Sequence, residues 1–300
     1  MPEFARRMSF YVLTLALLGS PAVSSWGAEG SSLDLSDPAQ LVDAYIRTVG
    51  DNSGEETFVY ATVVVMAMVP GERGRKLFGV EVLGATRFYP IEGGYQRLHR
   101  EVGLYTDLET GEVLSHWQNP WTNESVEPIH IQNDPVNFRY TVAQQSGPRR
   151  IVYDDLGEII AFHREVLLRY PNAINPRDYP KHSSGEWYEA AELFNSFALR
   201  AELENPELTS VSEYGTWARQ GPWLPWMEMG DHPGHLLYHG RSKKLMNGVA
   251  ELPQPVLAYI QKHLPEYLHA PEEFTEPNET SWTVFKKVID SRRAESSDVP

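Results

Sequence analysis

A strand-like segment carries most of the side chains that could do acid–base chemistry. Along an extended chain, successive side chains point to opposite faces. One face would carry Tyr95, Arg97, His99, Glu101 and Tyr105, and the other Leu98, Arg100, Val102 and Leu104. An imidazole and a carboxyl on one face can move protons together. Either the apolar face is core and the polar face meets solvent, or the polar face lines a barrel lumen and helices cover the apolar face.

The segment from Asp107 to Arg139 offers a second set of candidates. His116 and His130 fall on neighbouring predicted strands, and Asp134 follows in an Asn-Asp-Pro-Val-Asn run. If both imidazoles share a face, the three side chains could form a metal site, or a base with its orienting carboxylate. The alternative is structural, because Asn and Asp before Pro are common turn formers.

The run from Trp223 to Gly230 supplies a broad apolar surface, since it contains two tryptophans and two methionines. It is either core packing or the wall of a pocket for an apolar ligand. The nearby histidines do not form a metal cluster. Pro233-Gly234 interrupts any helix, and in a strand His235 and His239 would be about 13 Å apart.

These patterns define a predicted site. The candidate catalytic residues are His99, Glu101, His116, His130 and Asp134. The candidate substrate-binding residues are Tyr105, Trp117, Trp121, Asn133, Asn137, Arg139, Trp223, Trp226, Met227 and His239.

The chain lacks the signatures of several enzyme classes: there is no Gly-x-Ser-x-Gly, no Gly-x-Gly-x-x-Gly and no His-Glu-x-x-His. It contains no cysteine, which excludes thiol nucleophiles, thiolate metal sites and disulfides. We therefore expect a protein that needs no metal or organic cofactor, with His116, His130 and Asp134 as the one metal arrangement left open.

The first 24 residues have the layout of a secretory signal peptide. Arg6-Arg7 precedes an apolar run from Met8 to Leu18, and small residues follow at the cleavage position. We expect a periplasmic or secreted protein without stable membrane insertion; the arginine pair leaves twin-arginine export open. Removing residues 1–24 takes away two arginines and one glutamate, so the net charge of −15 becomes −16. This argues against a nucleic acid partner and favours a neutral or cationic small molecule.

The remaining pattern predicts a mainly β protein. Strands are predicted at Thr57–Val69, Lys76–Tyr89, Tyr95–Thr106, Glu112–Gln118, Val126–Gln132, Val136–Ala143, Arg149–Tyr153 and Glu158–Tyr170, and less regular strands at Glu207–Arg219 and Pro222–His239. Helices are predicted at Asp37–Arg47, Ser184–Glu204, Val256–Leu264 and Trp282–Ile289. The short links predict an antiparallel curved sheet or a lipocalin-like barrel with flanking helices. Residues 25–34 would be a linker, 35–291 one domain, and 292–300 a disordered tail.

Several short motifs together resemble an exported bacterial family known only as domain of unknown function 1838. The motifs are Lys76-Leu77-Phe78-Gly79, His99-Arg100-Glu101-Val102, Asp107-x-x-Thr110-Gly111-Glu112-Val113-Leu114, Trp117-x-Asn119-Pro120-x-Thr122, Asn133-Asp134-Pro135-Val136, Trp223-Leu224-Pro225-Trp226-Met227-x-Met229-Gly230 and Leu237-Tyr238-His239-Gly240. The resemblance implies export and a single domain, and it implies no reaction.

Two functions remain as hypotheses. The first is a cofactor-independent lyase, isomerase or hydrolase that acts on a small, largely apolar or aromatic metabolite. The second is a lipocalin-like periplasmic protein that binds such a molecule without chemistry. Several ionisable groups on a pocket-facing side of a strand favour the enzyme.

Overall fold

Antiparallel strands dominate residues 33–297, which are the residues that the computed structural model describes. The strands are β1 (Thr57–Met68), β2 (Arg75–Ile91), β3 (Gly94–Thr106), β4 (Trp117–Gln118), β5 (Ser125–Val126), β6 (Ile131–Asn133), β7 (Phe138–Thr141), β8 (Val152–Asp155), β9 (Ile159–Pro171), β10 (Trp187–Leu199), β11 (Tyr214–Gly221) and β12 (His235–Lys244). The α-helices are α1 (Pro38–Val49), α2 (Arg200–Leu203), α3 (Gln254–His263) and α4 (Ser281–Ser297). The predicted signal peptide and most of the linker lie outside the described residues and stay predictions.

Ten strands form one antiparallel sheet in the order β6-β3-β2-β1-β12-β11-β10-β9-β8, with β7 also paired to β3. Strands β4 and β5 pair separately. The central strands are long: β1 pairs with β2 on one side and β12 on the other over most of its length. The prediction of a mainly β, antiparallel fold is therefore confirmed.

The sheet curves until its two ends approach each other. Six inter-strand steps separate β3 from β9, which in a flat sheet would place them about 29 Å apart. Yet Arg97 of β3 and Arg164 of β9 both act on Tyr140 of β7, and Tyr45 of α1 contacts both Tyr140 and Phe162 of β9. No backbone ladder joins the ends among the described strands, so the curved sheet of our prediction is observed and the closed lipocalin-like barrel is not.

Apolar clusters close both ends of the concave face. At one end α1 packs inside the curve, with Ile46 against a cluster that includes Phe88 and Ile160. Helix α1 begins as the sequence predicts, since Asp37 caps it by accepting a hydrogen bond from the backbone N of Ala39 at 2.9 Å. At the other end α4 contributes Trp282 and Phe285 to a second cluster. A third cluster lies on the convex side, where α3 covers β2 and β3.

The prediction of a helix at Ser184–Glu204 is wrong, because most of this segment forms the thirteen-residue strand β10. Its alternation is hidden in the sequence: Ala190 and Phe194 face inward, but Trp187 and Leu193 on the outer face are also apolar. Pairing with β9 along its whole length and with β11 over Ala191–Phe197 outweighs the helix propensity of its alanines and glutamates. Only the short helix α2 follows it.

Other boundaries also differ from the prediction. Glu112–Gln118 and Val126–Gln132 contain only β4, β5 and the start of β6, since most of this stretch is irregular. In Pro222–His239, a 3₁₀ turn at Pro225–Met227 precedes β12. Helix α4 continues to Ser297, so the predicted disordered tail is helical from residue 292 to residue 297. Within residues 33–297, no helix is both long and apolar enough to cross a bilayer.

Candidate active site

The polar face of β3 lines the concave side of the sheet. Tyr105 pairs in register with Val80, which belongs to an interior cluster, and Leu104 and Val102 pack on the convex side with residues of α3. The side chains that alternate with Leu104 and Val102 therefore point inward. The polar face therefore points inward and the apolar face is covered by α3, as in the second of our two interpretations, but in an open curved sheet and not in a closed barrel. We call the space that this concave face encloses the lumen.

His99 is held rigidly in the wall of the lumen. Its Nδ1 lies 2.7 Å from the Thr86 hydroxyl on the paired strand β2, and its backbone N donates to Asn137 Oδ1 at 3.2 Å. Gly84 provides the space, because a Cβ there would lie 2.9 Å from His99 Cε1. Burial, and then the charges of Arg97 and Arg164, hold the pKa of His99 well below 6.5. The imidazole is therefore neutral.

Glu101 lies two residues further along the same face. Its Oε2 is 4.0 Å from His99 Nε2, and its Oε1 accepts a hydrogen bond from Asn133 Nδ2 at 2.7 Å. Burial raises the pKa of Glu101, the Asn133 bond lowers it, and the charge of Glu192 raises it again, so the net direction is upward from 4.5. Yet its side chain is 35% solvent-accessible. The accessible part of this carboxyl therefore lies on the concave side of the sheet.

The opposite wall carries an ion pair. Glu192 of β10 lies 3.3 Å from Arg219 of β11, and Arg219 donates a hydrogen bond to the Tyr188 hydroxyl at 2.7 Å. The Arg219 guanidinium also stacks on the ring of Tyr238 at 4.9 Å. Burial raises the pKa of Tyr238 to about 12. The Arg219 cation is therefore paired on this wall with a carboxylate, a hydroxyl and an aromatic face.

Aromatic rings form the rest of the wall near Arg164. The Arg164 guanidinium stacks over Phe194 at 4.3 Å, and Phe194 lies 6.2 Å from Trp217 on the next strand. Arg164 is solvent-accessible, and Phe194 and Trp217 are partly so. Because all three point to the concave side, their accessible surface lies in the lumen.

Two tyrosines and two arginines meet at the α1 end of the lumen. Tyr45 and Tyr140 pack at 5.3 Å between ring centroids. Burial raises the pKa of Tyr140, but the charges of Arg164 and Arg97, together with polar interactions with Tyr45 and Arg97, outweigh it and lower that pKa below 10. A tyrosine beside two guanidinium groups is a hydrogen-bond donor whose anionic form is stabilised.

Three of the predicted catalytic residues lie outside the lumen. His116 is exposed, and its Nδ1 lies 3.3 Å from the hydroxyl of the neighbouring Ser115. His130 sits at the edge of β3, where its Nδ1 accepts a hydrogen bond from the Tyr105 backbone N at 3.1 Å and its ring packs against Tyr259 of α3. Asp134 lies 3.2 Å from Arg100 on the covered convex side. The predicted His116, His130 and Asp134 site therefore does not form, and no group of three potential metal ligands is found anywhere in residues 33–297.

Most of the predicted binding residues are structural. Tyr105, Trp117, Trp226 and Met227 are buried in the interior cluster at the α4 end. Trp121 and Trp223 stack on each other at 5.3 Å, and Trp223 lines a separate cavity of about 660 Å³ together with His232 and residues of the Pro176–Gly185 segment. Arg139 and His239 point to the outer face of their strands and are exposed.

Two predicted binding residues do support the site from behind. Asn133 connects Glu101 to α4, because its Oδ1 accepts hydrogen bonds from the backbone N and hydroxyl of Ser281 at 2.5 and 2.7 Å. Asn137 fixes the backbone at His99 and donates to the Thr275 carbonyl at 3.0 Å. Both amides position catalytic candidates and neither needs to touch a ligand.

Sequence reasoning missed half of the lumen: Tyr45, Tyr140, Arg164, Glu192, Phe194, Trp217 and Arg219. For Arg164 a signal was present, because alternation along the predicted strand Glu158–Tyr170 places Arg164 on the same face as Ile160 and Phe162. For Glu192 and Phe194 the signal was lost when β10 was interpreted as a helix.

The fold and site together define a class: a curved antiparallel sheet, plugged by helices, with an ionisable and aromatic lumen. The chain belongs to the family described as proteins of unknown function (DUF1838), whose family model matches residues 54–289. That span holds every lumen residue named above except Tyr45. No curated protein matches the chain.

Proposed function

We propose that this protein is an enzyme that performs proton-transfer chemistry on a small aromatic or largely apolar metabolite bound in the lumen. It would act as a lyase, isomerase or hydrolase and would use its own side chains without a cofactor. The N-terminal segment supports an exported protein, periplasmic or secreted, as part of the same proposal.

One observation carries the proposal: His99 Nε2 and Glu101 Oε2 lie 4.0 Å apart in the lumen wall, where the Glu101 side chain is 35% and the His99 side chain 8% solvent-accessible. The raised pKa of Glu101 favours its protonated form, and the lowered pKa of His99 favours a neutral base. Enzymes obtain acid and base roles by moving the pKa values of neighbouring groups in this way.

The geometry supports a simple division of roles. When His99 Nδ1–H donates to Thr86, Nε2 carries the free lone pair. Protonated Glu101 gives its proton to a basic atom of the substrate, and His99 Nε2 takes a proton from the substrate or from a water molecule. Proton exchange between the two side chains then restores the starting state.

The alternative is a non-catalytic binding protein, which the aromatic wall of Phe194 and Trp217 would serve equally well. Tryptophan fluorescence titration against a panel of small aromatic metabolites detects a ligand under either hypothesis. Trp217→Phe should remove the lumen signal, and Trp187→Phe, on the exposed outer face of β10, should not.

Turnover decides between the two functions. Product analysis of the bound compound should show conversion by the wild type and a loss of about 100-fold or more in His99→Gln with binding retained. Tight binding of a metabolite with no conversion under any condition would support the binder and contradict the enzyme.

A further inference from the structure

Two arginines in the lumen have no carboxylate partner. Arg97 and Arg164 point inward from β3 and β9, and neither forms an ion pair with any residue in the described part of the chain. Arg219, which is buried nearby, has Glu192 at 3.3 Å, and on the convex side Arg100 has Asp134 at 3.2 Å. Glu192 is an electrostatic neighbour of Arg164, and Glu101 is one of both arginines, but among the described residues neither carboxylate lies within 4.0 Å of Arg97 or Arg164 and Glu192 pairs with Arg219. The α1 end of the lumen therefore carries excess positive charge inside a protein whose net charge is −15.

The surroundings of these arginines are suited to a planar anion. The Arg164 Cζ lies 4.3 Å from the centroid of the Phe194 ring, so the guanidinium packs against an aromatic ring, and its N–H groups are donors of the kind that bind carboxylates. Tyr140 lies beside both arginines and adds a hydroxyl donor. Phe194 and Trp217 continue the wall as an apolar surface.

We propose that the substrate of this protein is an aromatic carboxylate, with its carboxylate held by Arg97, Arg164 and Tyr140. This inference rests on the proposed function and names its substrate class. Arg97, His99 and Glu101 alternate on one face of β3, so each is displaced from the next by about 7 Å along the strand. A carboxylate at Arg97 would thus place the far side of an attached ring next to His99 and Glu101.

The inference differs from what the net charge alone predicts, which is a neutral or cationic partner. The overall charge is a property of the surface, whereas recognition is decided by the lumen. Three arginines (Arg97, Arg164 and Arg219) face two glutamates (Glu101 and Glu192) there, so positive groups outnumber negative ones, and the raised pKa of Glu101 increases the difference. An anion restores the balance.

The test compares acids with their neutral amides. Binding of 4-hydroxybenzoate and trans-cinnamate, and of the corresponding amides, is measured by calorimetric or fluorescence titration. Wild-type protein should bind at least one acid about 10-fold or more tightly than its amide. In Arg164→Gln and Arg97→Gln, the affinity for the acid should fall by about 10-fold or more, and the affinity for the amide should change little. Arg139→Gln is the matched control, because it removes the same charge from the exposed face of β7.

The ratio of the wild-type affinities for acid and amide is measured without any variant, so it remains a valid test if a variant fails to fold. Equal binding of acid and amide, no acid binding at all, or equal losses for both in Arg164→Gln would overturn the carboxylate subsite. Turnover of a neutral compound with no preference for acids would overturn this inference and leave the proposed enzyme standing. Selective acid binding without turnover of any acid would support the subsite and contradict the enzyme.

Discussion

At the scale of single residues, His99 and Glu101 show how neighbouring groups acquire opposite protonation tendencies. Both are enclosed by the sheet, and burial disfavours the charged form of each. For the imidazole this lowers the pKa, and for the carboxyl it raises the pKa. Burial therefore favours the neutral form of the base and the protonated form of the acid, and the arginines of the lumen strengthen the first effect and oppose the second.

The first prediction concerns the pH dependence of activity. A general acid must be protonated, so activity that needs protonated Glu101 is present below its pKa and lost as pH rises through that pKa, which lies above 4.5. A neutral His99 is available above its own pKa, which lies well below 6.5. We expect a bell-shaped profile of kcat/KM, which falls on the alkaline side as Glu101 loses its proton and on the acid side as His99 gains one. A profile that only rises between about pH 4 and pH 8 would contradict these roles.

The second prediction concerns Lys244, which is buried at the C-terminal end of α1. Its Nζ donates to the carbonyls of Arg47 and Gly50 and to the Ser210 hydroxyl at 2.7 to 2.9 Å. Burial lowers its pKa to about 7 from 10.5. The unfolded chain therefore binds more protons between these values, and the wild type gains stability as pH rises through that window.

The measurement is urea unfolding of the wild type and Lys244→Met at about pH 6.5 and 9.5. The free energy of unfolding of the wild type, relative to that of Lys244→Met, should grow by about 2–4 kcal/mol over this range. Lys243→Met is the control, because Lys243 points outward and pairs with Glu251 at 3.0 Å. If this difference in free energy of unfolding does not change with pH, the pKa of Lys244 is not lowered in the folded protein.

At the scale of elements, the site depends on contacts between strands and helices distant in sequence. Asn133 of β6 links Glu101 of β3 to Ser281 at the start of α4. The third prediction follows from this link. Because the Asn133 bond lowers the pKa of Glu101, Asn133→Ala should move the alkaline limb of the activity profile to higher pH. It should also destabilise the fold by about 1–3 kcal/mol, since Ser281 loses its acceptor.

The pH profile separates this effect from simple structural damage, which would lower activity without moving the limb. Gln132→Ala is the matched control, since its side chain lies on the other face of β6. An unmoved limb in Asn133→Ala, with stability reduced as expected, would show that the amide supports the fold and does not tune Glu101.

Strands were predictable from sequence where polar and apolar residues alternate regularly. They were not predictable where both faces of the strand are apolar. The strand around His99 has a polar face and an apolar face, so its strand character followed from the residues, but which face points into the lumen did not. Strand β10 exposes Trp187 at 46% and Leu193 at 46%, and this outer apolar set imitates a helical stripe. The pairing of His116 with His130 failed for another reason: the stretch between them is mostly irregular, so strand neighbourhood could not be assumed.

At the scale of the whole molecule, the open sheet predicts uneven stability. Strand β1 is paired on both sides, whereas β8 has four residues and only one neighbour, β9. The fourth prediction is that amide hydrogen exchange is slowest in β1, β2 and β12 and fastest in β4, β5, β6 and β8. Hydrogen-exchange mass spectrometry measures this pattern. Protection of β8 equal to that of β1 would indicate that the sheet closes into a barrel in solution.

The global sheet was predictable as antiparallel and curved, because short links exclude helical crossovers. Which side chains would meet across it was not. Glu101 and Glu192 come from strands five steps apart in the sheet, and their approach depends on curvature that no local pattern records. Half of the lumen could therefore be found only in the three-dimensional structure.

The most direct test of the central claim compares binding and turnover in Glu101→Gln and Glu165→Gln. Glutamine keeps the shape of Glu101 and can still accept the Asn133 hydrogen bond, but it cannot give up a proton as an acid. Glu165 is exposed on the outer face of β9 and controls for the change of charge. We predict that Glu101→Gln binds the substrate within about 3-fold of the wild type and loses about 100-fold or more in kcat, while Glu165→Gln matches the wild type. A Glu101→Gln protein that keeps kcat within about 10-fold of the wild type would contradict the assignment of acid–base chemistry to this lumen.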